Sequence, residues 1–322
     1  MSRPFAPRLR VSSYLSDWMP SGDTARQSVA GYFGGGSISS ANTSAIDKLS
    51  FSAETRSTLS ATMSTDVYAT GGFADSGVAG YFCGGTDQSN FYSRIDKITF
   101  PADTKTTLSA TLTATVFFCA GMANSGVAGY NGGGDSTLTS RIDKITFPAD
   151  TKSTLSATLT SARSRLSAMA DSGVAGYFAG GSTATDFLSG IDKITFSADS
   201  KTTLSATLTT AKAYLAACAD TGVAGYVFAG SDGADYVLSI DRIAFPADTK
   251  TTIAATLSSN ANYRAASANI GVAGYIAGGF DSPTRLNSIQ KLSFPAEART
   301  TLAATLSNQL YGTTGMADCG VF

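Results

Sequence analysis

Apolar and polar residues alternate with a period of two through most of this chain, in short runs. In one stretch, residues 163–171 (RSRLSAMAD), 173–181 (GVAGYFAGG), 189–196 (SGIDKITF) and 201–209 (KTTLSATLT) each read as a β-strand. They carry β-branched or aromatic residues and are bounded by Gly, Asp, Ser or Pro. The four-run pattern then recurs. The string V-A-G-Y places Tyr at 32, 81, 130, 177, 226 and 275, with spacings of 49, 49, 47, 49 and 49. I-D-K or a variant follows at Asp47, Asp96, Asp143, Asp192 and Asp241, with Gln290 in the sixth place, and a T-L-S/A-A-T-L/M motif ends each unit. Four strands per unit in six units predict an all-β, six-bladed propeller over residues 26–322, preceded by an N-terminal arm, residues 1–25.

Two further patterns fit that architecture. Blades converge on an axis, so the innermost strand needs small side chains. Seven residues before each V-A-G-Y tyrosine, or where a seventh copy would fall, stand Ala74, Ala123, Ala170, Ala219, Ala268 and Ala317. Nine before it stand Gly72, Gly121, Ala168, Ala217, Ala266 and Gly315. The first unit starts at its second strand, and an unused inner strand remains in residues 310–318. The C-terminal strand is therefore expected to pair into the N-terminal blade and close the ring, which abolishes the sheet edge at the seam.

With strands A to D labelled from the axis outwards, A–B and C–D connections share one face, and B–C and D–A connections share the other. The A–B turns (ADSG, ANSG, ADSG, ADTG, ANIG, ADCG) and the C–D turns barely change between units, whereas B–C and D–A segments diverge. Two readings fit: drift in loops without structural duty, or a recognition face on a rigid scaffold. The second makes Phe91, Tyr92, Phe187, Tyr236 and Arg285, with Arg163 and Lys212 from the D–A segments, candidate partner-binding residues. Aromatic and Arg anchors in a polar surround suit glycan or protein binding. In the arm, Arg8, Arg10, Tyr14 and Trp18 are candidate anchoring residues, because Trp18 is the single Trp of the sequence.

Composition narrows the chemistry. The 322 residues include 23 Lys and Arg against 24 Asp and Glu, a net charge of −1, so no basic footprint for nucleic acid is expected. His is absent, which excludes His-dependent nucleophile activation and His-ligated metals. The four Cys are far apart and expected to be reduced, no signal-peptide core precedes the repeats, and no window is apolar enough to span a membrane. Repetition marks the Asp-Lys pairs (Asp96-Lys97, Asp143-Lys144, Asp192-Lys193, Asp241-Arg242) as scaffold. The stretch SDGADY (231–236) lacks the alternating oxygens and distal Glu of a calcium loop. The expectation is a non-enzymatic protein without cofactor or metal.

The order R-x-x-x-x-A, Y-x-x-G-G, an aromatic-ended strand and a T-L strand resembles the kelch repeat. Its diglycine stands at Gly34-Gly35 or Gly35-Gly36, Gly84-Gly85, Gly133-Gly134, Gly180-Gly181 and Gly278-Gly279, with Ala229-Gly230 as a departure. Phe51, Phe100, Phe147, Phe196, Phe245 and Phe294 replace part of the usual Tyr–Trp pair. More narrowly, G-Y-F-x-G-G…I-D-K-x-x-F…T-L-S-A-T-L resembles kelch-like repeats of tailed-bacteriophage virion proteins. That resemblance implies a tail-associated virion component, present in several copies and assembled in the host cytoplasm. Its arm would join other virion proteins, and its variable face would meet a host-surface glycan or a neighbouring protein. A cellular kelch-type lectin or scaffold is the alternative.

Overall fold

The computed structural model describes residues 29–318. The arm and its candidates Arg8, Arg10, Tyr14 and Trp18 lie outside the described residues. Strands β1 (Ala30–Gly34), β2 (Ile46–Ser50) and β3 (Thr55–Thr58) begin the ring. Blade two is β4 (Gly71–Asp75), β5 (Ala79–Cys83), β6 (Ile95–Thr99) and β7 (Thr104–Thr107). Blade three is β8 (Ala120–Asn124), β9 (Ala128–Gly132), β10 (Ile142–Thr146) and β11 (Thr151–Thr154). Blade four is β12 (Ser167–Asp171), β13 (Ala175–Ala179), β14 (Ile191–Thr195) and β15 (Ser200–Thr203). Blade five is β16 (Ala216–Asp220), β17 (Ala224–Phe228), β18 (Ser239–Ala244) and β19 (Thr249–Thr256). Blade six is β20 (Ala265–Asn269), β21 (Ala273–Ala277), the short β22 (Phe280–Asp281), β23 (Thr284–Ser293) and β24 (Ala298–Leu310), and β25 (Thr314–Asp318) completes blade one. Every blade is antiparallel, and the protein is a six-bladed β-propeller.

The seam closes as expected: β25 lies antiparallel to β1, with Ala30 opposite Asp318 and Gly34 opposite Thr314. The Gly/Ala positions line the axial channel, which holds cavities of about 130 and 150 Å³. Where the position is Gly, the neighbouring strand is the reason. A Cβ on Gly121 would stand 2.5 Å from the Gly72 carbonyl oxygen, and one on Gly315 would overlap the backbone of Ala266.

The repeated motifs are inter-blade clasps. Each V-A-G-Y tyrosine stacks on the aromatic that ends strand C of the next blade, as in Tyr81 on Phe147 (5.2 Å) and Tyr275 on Phe51 (4.8 Å). Its hydroxyl donates to the acid of that blade's C–D turn, Tyr81 to Asp150 at 2.8 Å, and the I-D-K lysine pairs with the same carboxylate, Lys97 to Asp150 at 2.7 Å. The buried Asp of I-D-K faces the preceding unit. Asp143 accepts the Thr113 amide at 2.9 Å and the Thr113 hydroxyl at 2.6 Å, and it takes the hydroxyl of Thr154 on its own blade. Ser64, Thr160, Thr209 and Ser307 meet Asp96, Asp192, Asp241 and Asp47 in the same way, and in blade six Gln290 accepts the Ser258 amide. On the A–B face, Asp75 accepts the Gly126 amide at 2.8 Å, and this bond too recurs around the ring. The Asp-Lys pairs are thus scaffold, and the constancy of one face has a hydrogen-bonding cause.

Strand D is shorter than its motif suggests. In blades one to four it ends after four residues, and the remainder crosses towards the next blade, burying its last apolar residue (Met63, Leu112, Leu159 or Leu208) between sheets. In blade six, by contrast, β23 and β24 run on as a long ribbon that stands up from the B–C side.

Candidate functional site on the variable face

The B–C loops and D–A segments do share one face, and a repeated bridge ties them together. Tyr68 pairs with Thr86, Phe117 with Asp135, Ser164 with Ser182, Ala213 with Ser231, Asn262 with Phe280, and Tyr311 with Ser37. The next residue in each case turns into the left-handed region: Ala69 (φ 59°), Phe118 (51°), Arg165 (57°), Tyr214 (61°), Tyr263 (54°) and Gly312 (66°). Left-handed backbone is disfavoured for bulky side chains, so five such non-Gly residues in register mark a position held by its surroundings.

What holds them is a closed circle of backbone hydrogen bonds around the axis. The amides of Phe118, Arg165 and Tyr214 donate to the carbonyls of Ala69, Phe118 and Arg165 at 2.7, 2.8 and 2.8 Å. Those of Tyr263, Gly312 and Ala69 donate to Tyr214, Tyr263 and Gly312 at 3.2, 2.9 and 2.8 Å. The circle is six-fold in backbone and unlike in side chains, and here the propeller loses its symmetry.

The side chains on this circle form an axial aromatic cluster. Tyr263 packs on Tyr214 (4.2 Å between centroids), Phe118 (5.5 Å) and Tyr311 (5.2 Å), while Tyr68 meets Phe118 and Tyr311 edge-on. The Arg165 guanidinium lies over Phe118 and Tyr214 at 5.1 and 5.4 Å and pairs with Asp135 at 3.0 Å. All these rings are half-buried. Burial first, then the Tyr214 hydroxyl, pushes the Tyr263 phenol well above the ordinary tyrosine value, and burial raises Tyr68 also. These tyrosines are therefore neutral hydrogen-bonding groups at any physiological pH.

Two of the residues expected from sequence join the cluster. Phe91, 43% exposed, stacks flat on Phe117 at 4.8 Å, and Phe117 leans on Phe118, so the aromatic surface runs from the rim to the axis. On the far side Arg285 covers Tyr311 (5.2 Å) and Phe280 (5.9 Å). Tyr92 is an internal brace: its hydroxyl donates to Asp87 at 2.5 Å, and the Arg94 guanidinium sits 4.0 Å above its ring. Phe187 packs over the loop glycine Gly233, and Tyr236 bridges back to Ser231 within its own loop. Among the described residues neither makes a ring contact with the cluster.

Arg163 and Lys212 are corrected by the structure. They are 2% and 0% exposed, beneath the face and out of reach of a partner. Arg163 pairs with Asp192 at 2.9 Å, and Lys212 with Asp241 at 3.2 Å, beside the clasp carboxylates. Val67 and Val116 fill the equivalent place in other blades. Burial lowers the Arg163 and Lys212 pKa values against the opposing pull of the two carboxylates. The Asp192 and Asp241 carboxyls, which burial alone would raise, are held below the usual range. Thr160 hydrogen bonds lead for Asp192 and the Lys212 charge for Asp241.

Phe118, Tyr214, Tyr263, Tyr68, Tyr311 and Phe280 were not singled out from sequence. The signal available was a fixed offset: Ala69, Phe118, Arg165, Tyr214 and Tyr263 each stand twelve residues before a V-A-G-Y tyrosine. No protein-family model matches the sequence, and comparison with curated proteins gave no match.

Proposed function

We propose that this protein is a non-enzymatic binding module, a propeller whose variable face engages a host-surface glycan or a neighbouring virion protein. The single observation that carries the reading is the axial circle, which mounts unlike side chains (Ala, Phe, Arg, Tyr, Tyr, Gly) on a six-fold backbone. Scaffold repeats itself, whereas these positions differ while the backbone circle that carries them repeats six times. Aromatic rings offer flat apolar area to the C–H groups of sugars or of a protein partner, and the neutral tyrosine hydroxyls and Arg165 supply directional donors at the edges. The clasp carboxylates point elsewhere, since Asp47, Asp96, Asp143, Asp192 and Asp241 are each engaged by a hydroxyl and an amide of the preceding unit.

The placement in a tailed-phage virion, tail-associated and kelch-like, rests on the resemblance of the repeats. The reading is tested with fluorescently labelled full-length protein, intact host cells, and isolated envelope polysaccharide as competitor. Binding that the polysaccharide displaces, and that Tyr263→Ala weakens at least tenfold, supports a receptor-reading face. Absence of cell binding while the protein still enters particles makes the face a contact with other virion proteins. Absence from particles altogether returns the protein to the cellular lectin or scaffold class.

A further inference from the structure

The raised ribbon of blade six leaves a second feature on the variable face, beside the axial cluster and sharing Arg285 with it. Between its tip and the B–C loop of blade one lies a cleft of about 480 Å³, within the range of small-ligand clefts, about 300–1,000 Å³. Its walls bring together Ser39 from blade one, Arg285 and Asn287 from β23, and Asn308 and Gln309 from β24. Among the described residues no other blade has a ribbon of this length, so no other blade can form the cleft.

The chemistry of the walls is specific. A side-chain amide offers a donor and an acceptor on one planar group, which matches a pair of neighbouring sugar hydroxyls. Three amides and three hydroxyl residues, Ser39, Thr284 and Ser307, line it, and of the amides only Asn308 spends an N–H internally, on Ser307 at 3.3 Å. Arg285 is fixed by its stack on Tyr311 and Phe280, its Nε is buried without a hydrogen-bond partner, and it stands in no ion pair among the described residues. A guanidinium seated over two rings and lacking an acid is set for a ligand carboxylate, which it can grip through two parallel bonds.

We infer that this seam cleft binds an acidic saccharide, with the amides on ring hydroxyls and Arg285 on a sugar carboxylate. The inference rests on the reading of the variable face as a binding face and names a ligand class for one part of it. The test titrates full-length protein calorimetrically with trigalacturonate, neutral galactotriose and triglutamate. Saturable binding of trigalacturonate is expected, at least tenfold tighter than galactotriose or triglutamate. It should fall at least tenfold in Arg285→Ala and in Asn287→Ala, with unchanged circular dichroism and melting. Tyr263→Ala, whose ring packs on Tyr214, Phe118 and Tyr311 and on no residue lining the cleft, should retain it. Absence of saturable binding, equal binding of the neutral sugar, preference for triglutamate, or indifference to Arg285→Ala would each overturn the inference. If envelope polysaccharide still binds in a Tyr263-dependent way while trigalacturonate does not, the cleft assignment fails and the binding face stands. If neither binds, both fail.

Discussion

Replacing Lys212 with Met removes a charge that is wholly buried while keeping the length and apolar stem of the residue. The ammonium has three donors, yet among the described residues its only acidic partner is Asp241 at 3.2 Å, and Nζ makes no hydrogen bond of acceptable geometry. Burying an ammonium costs several kcal/mol, and a pair this poorly aligned recovers it incompletely. Without Lys212, Asp241 loses the charge that leads in holding its carboxyl down but retains the Thr209 amide and hydroxyl, the Thr252 hydroxyl and Lys250 at 3.5 Å. The molecule contains its own control, because Asp47 keeps the same set from Ser307, Thr58 and Arg56, and there the apolar Leu310 takes the place of Lys212. Lys212→Met is therefore expected to stabilise by about 1–3 kcal/mol, in line with other buried pairs exchanged for apolar groups. In a protein of this size that is roughly 2 °C in Tm for each kcal/mol. Asp241→Ala should do the reverse and cost about 3–5 kcal/mol, since it leaves Lys212 buried and unpaired. Thermal and urea unfolding of the three proteins measure both. A loss of more than about 1 kcal/mol in Lys212→Met would refute the argument, and a loss of ligand binding in that variant would return Lys212 to the face.

Three other outcomes follow from the geometry. Deleting residues 310–322 removes β25 and leaves β1 an open edge, so the urea transition should broaden and lose cooperativity; an unchanged curve would refute closure by this strand. Gly315→Ala drives a methyl into the Ala266 backbone and should lower stability by about 1–3 kcal/mol, read from the urea midpoint, with no shift counting against the packing at the seam. Burial first, then a hydrogen bond to or the charge of an inter-blade acid, raises the pKa of Tyr32, Tyr81, Tyr130, Tyr177 and Tyr275 above the ordinary 10.0. The unfolded protein loses these protons first, so their contribution is complete below about pH 10 and is lost as the pH rises further. Tyrosinate absorbance from these residues should appear together with alkaline unfolding, and its appearance in the native state would contradict the clasps.

The repeat was legible because scaffold physics writes the same residues six times. V-A-G-Y marks strand B, I-D-K strand C, and the small residues before them the axis, and leftover residues 310–318 announced the closing strand. The clasps explain why those residues recur, but their partners lie 30 to 71 positions away or across the seam, beyond any local pattern. The face was legible only as a region of divergence. Arg163 and Lys212 looked like surface because they are charged and sit in variable segments, whereas a neighbouring buried Asp lets each replace a Val. Phe118 and Tyr263 looked like ordinary loop aromatics, because nothing in a sequence states that the backbone beneath them is left-handed. Arg285 is a candidate by sequence, yet its setting depends on a ribbon length that the repeat spacing conceals.

The axial circle also imposes an order in time. Gly312 supplies two of its six links, donating to Tyr263 and accepting from Ala69, and it is the last of the six members to be synthesised. Without it the Ala69 amide and the Tyr263 carbonyl have no partner in the circle, and the chain of links from Ala69 to Tyr263 stays open. A truncated product can stack several blades and still leave the circle open. On the proposed reading of the face, competence to bind is expected to arrive with the stretch around Gly312, and an incomplete copy is expected to be silent instead of being a weaker competitor.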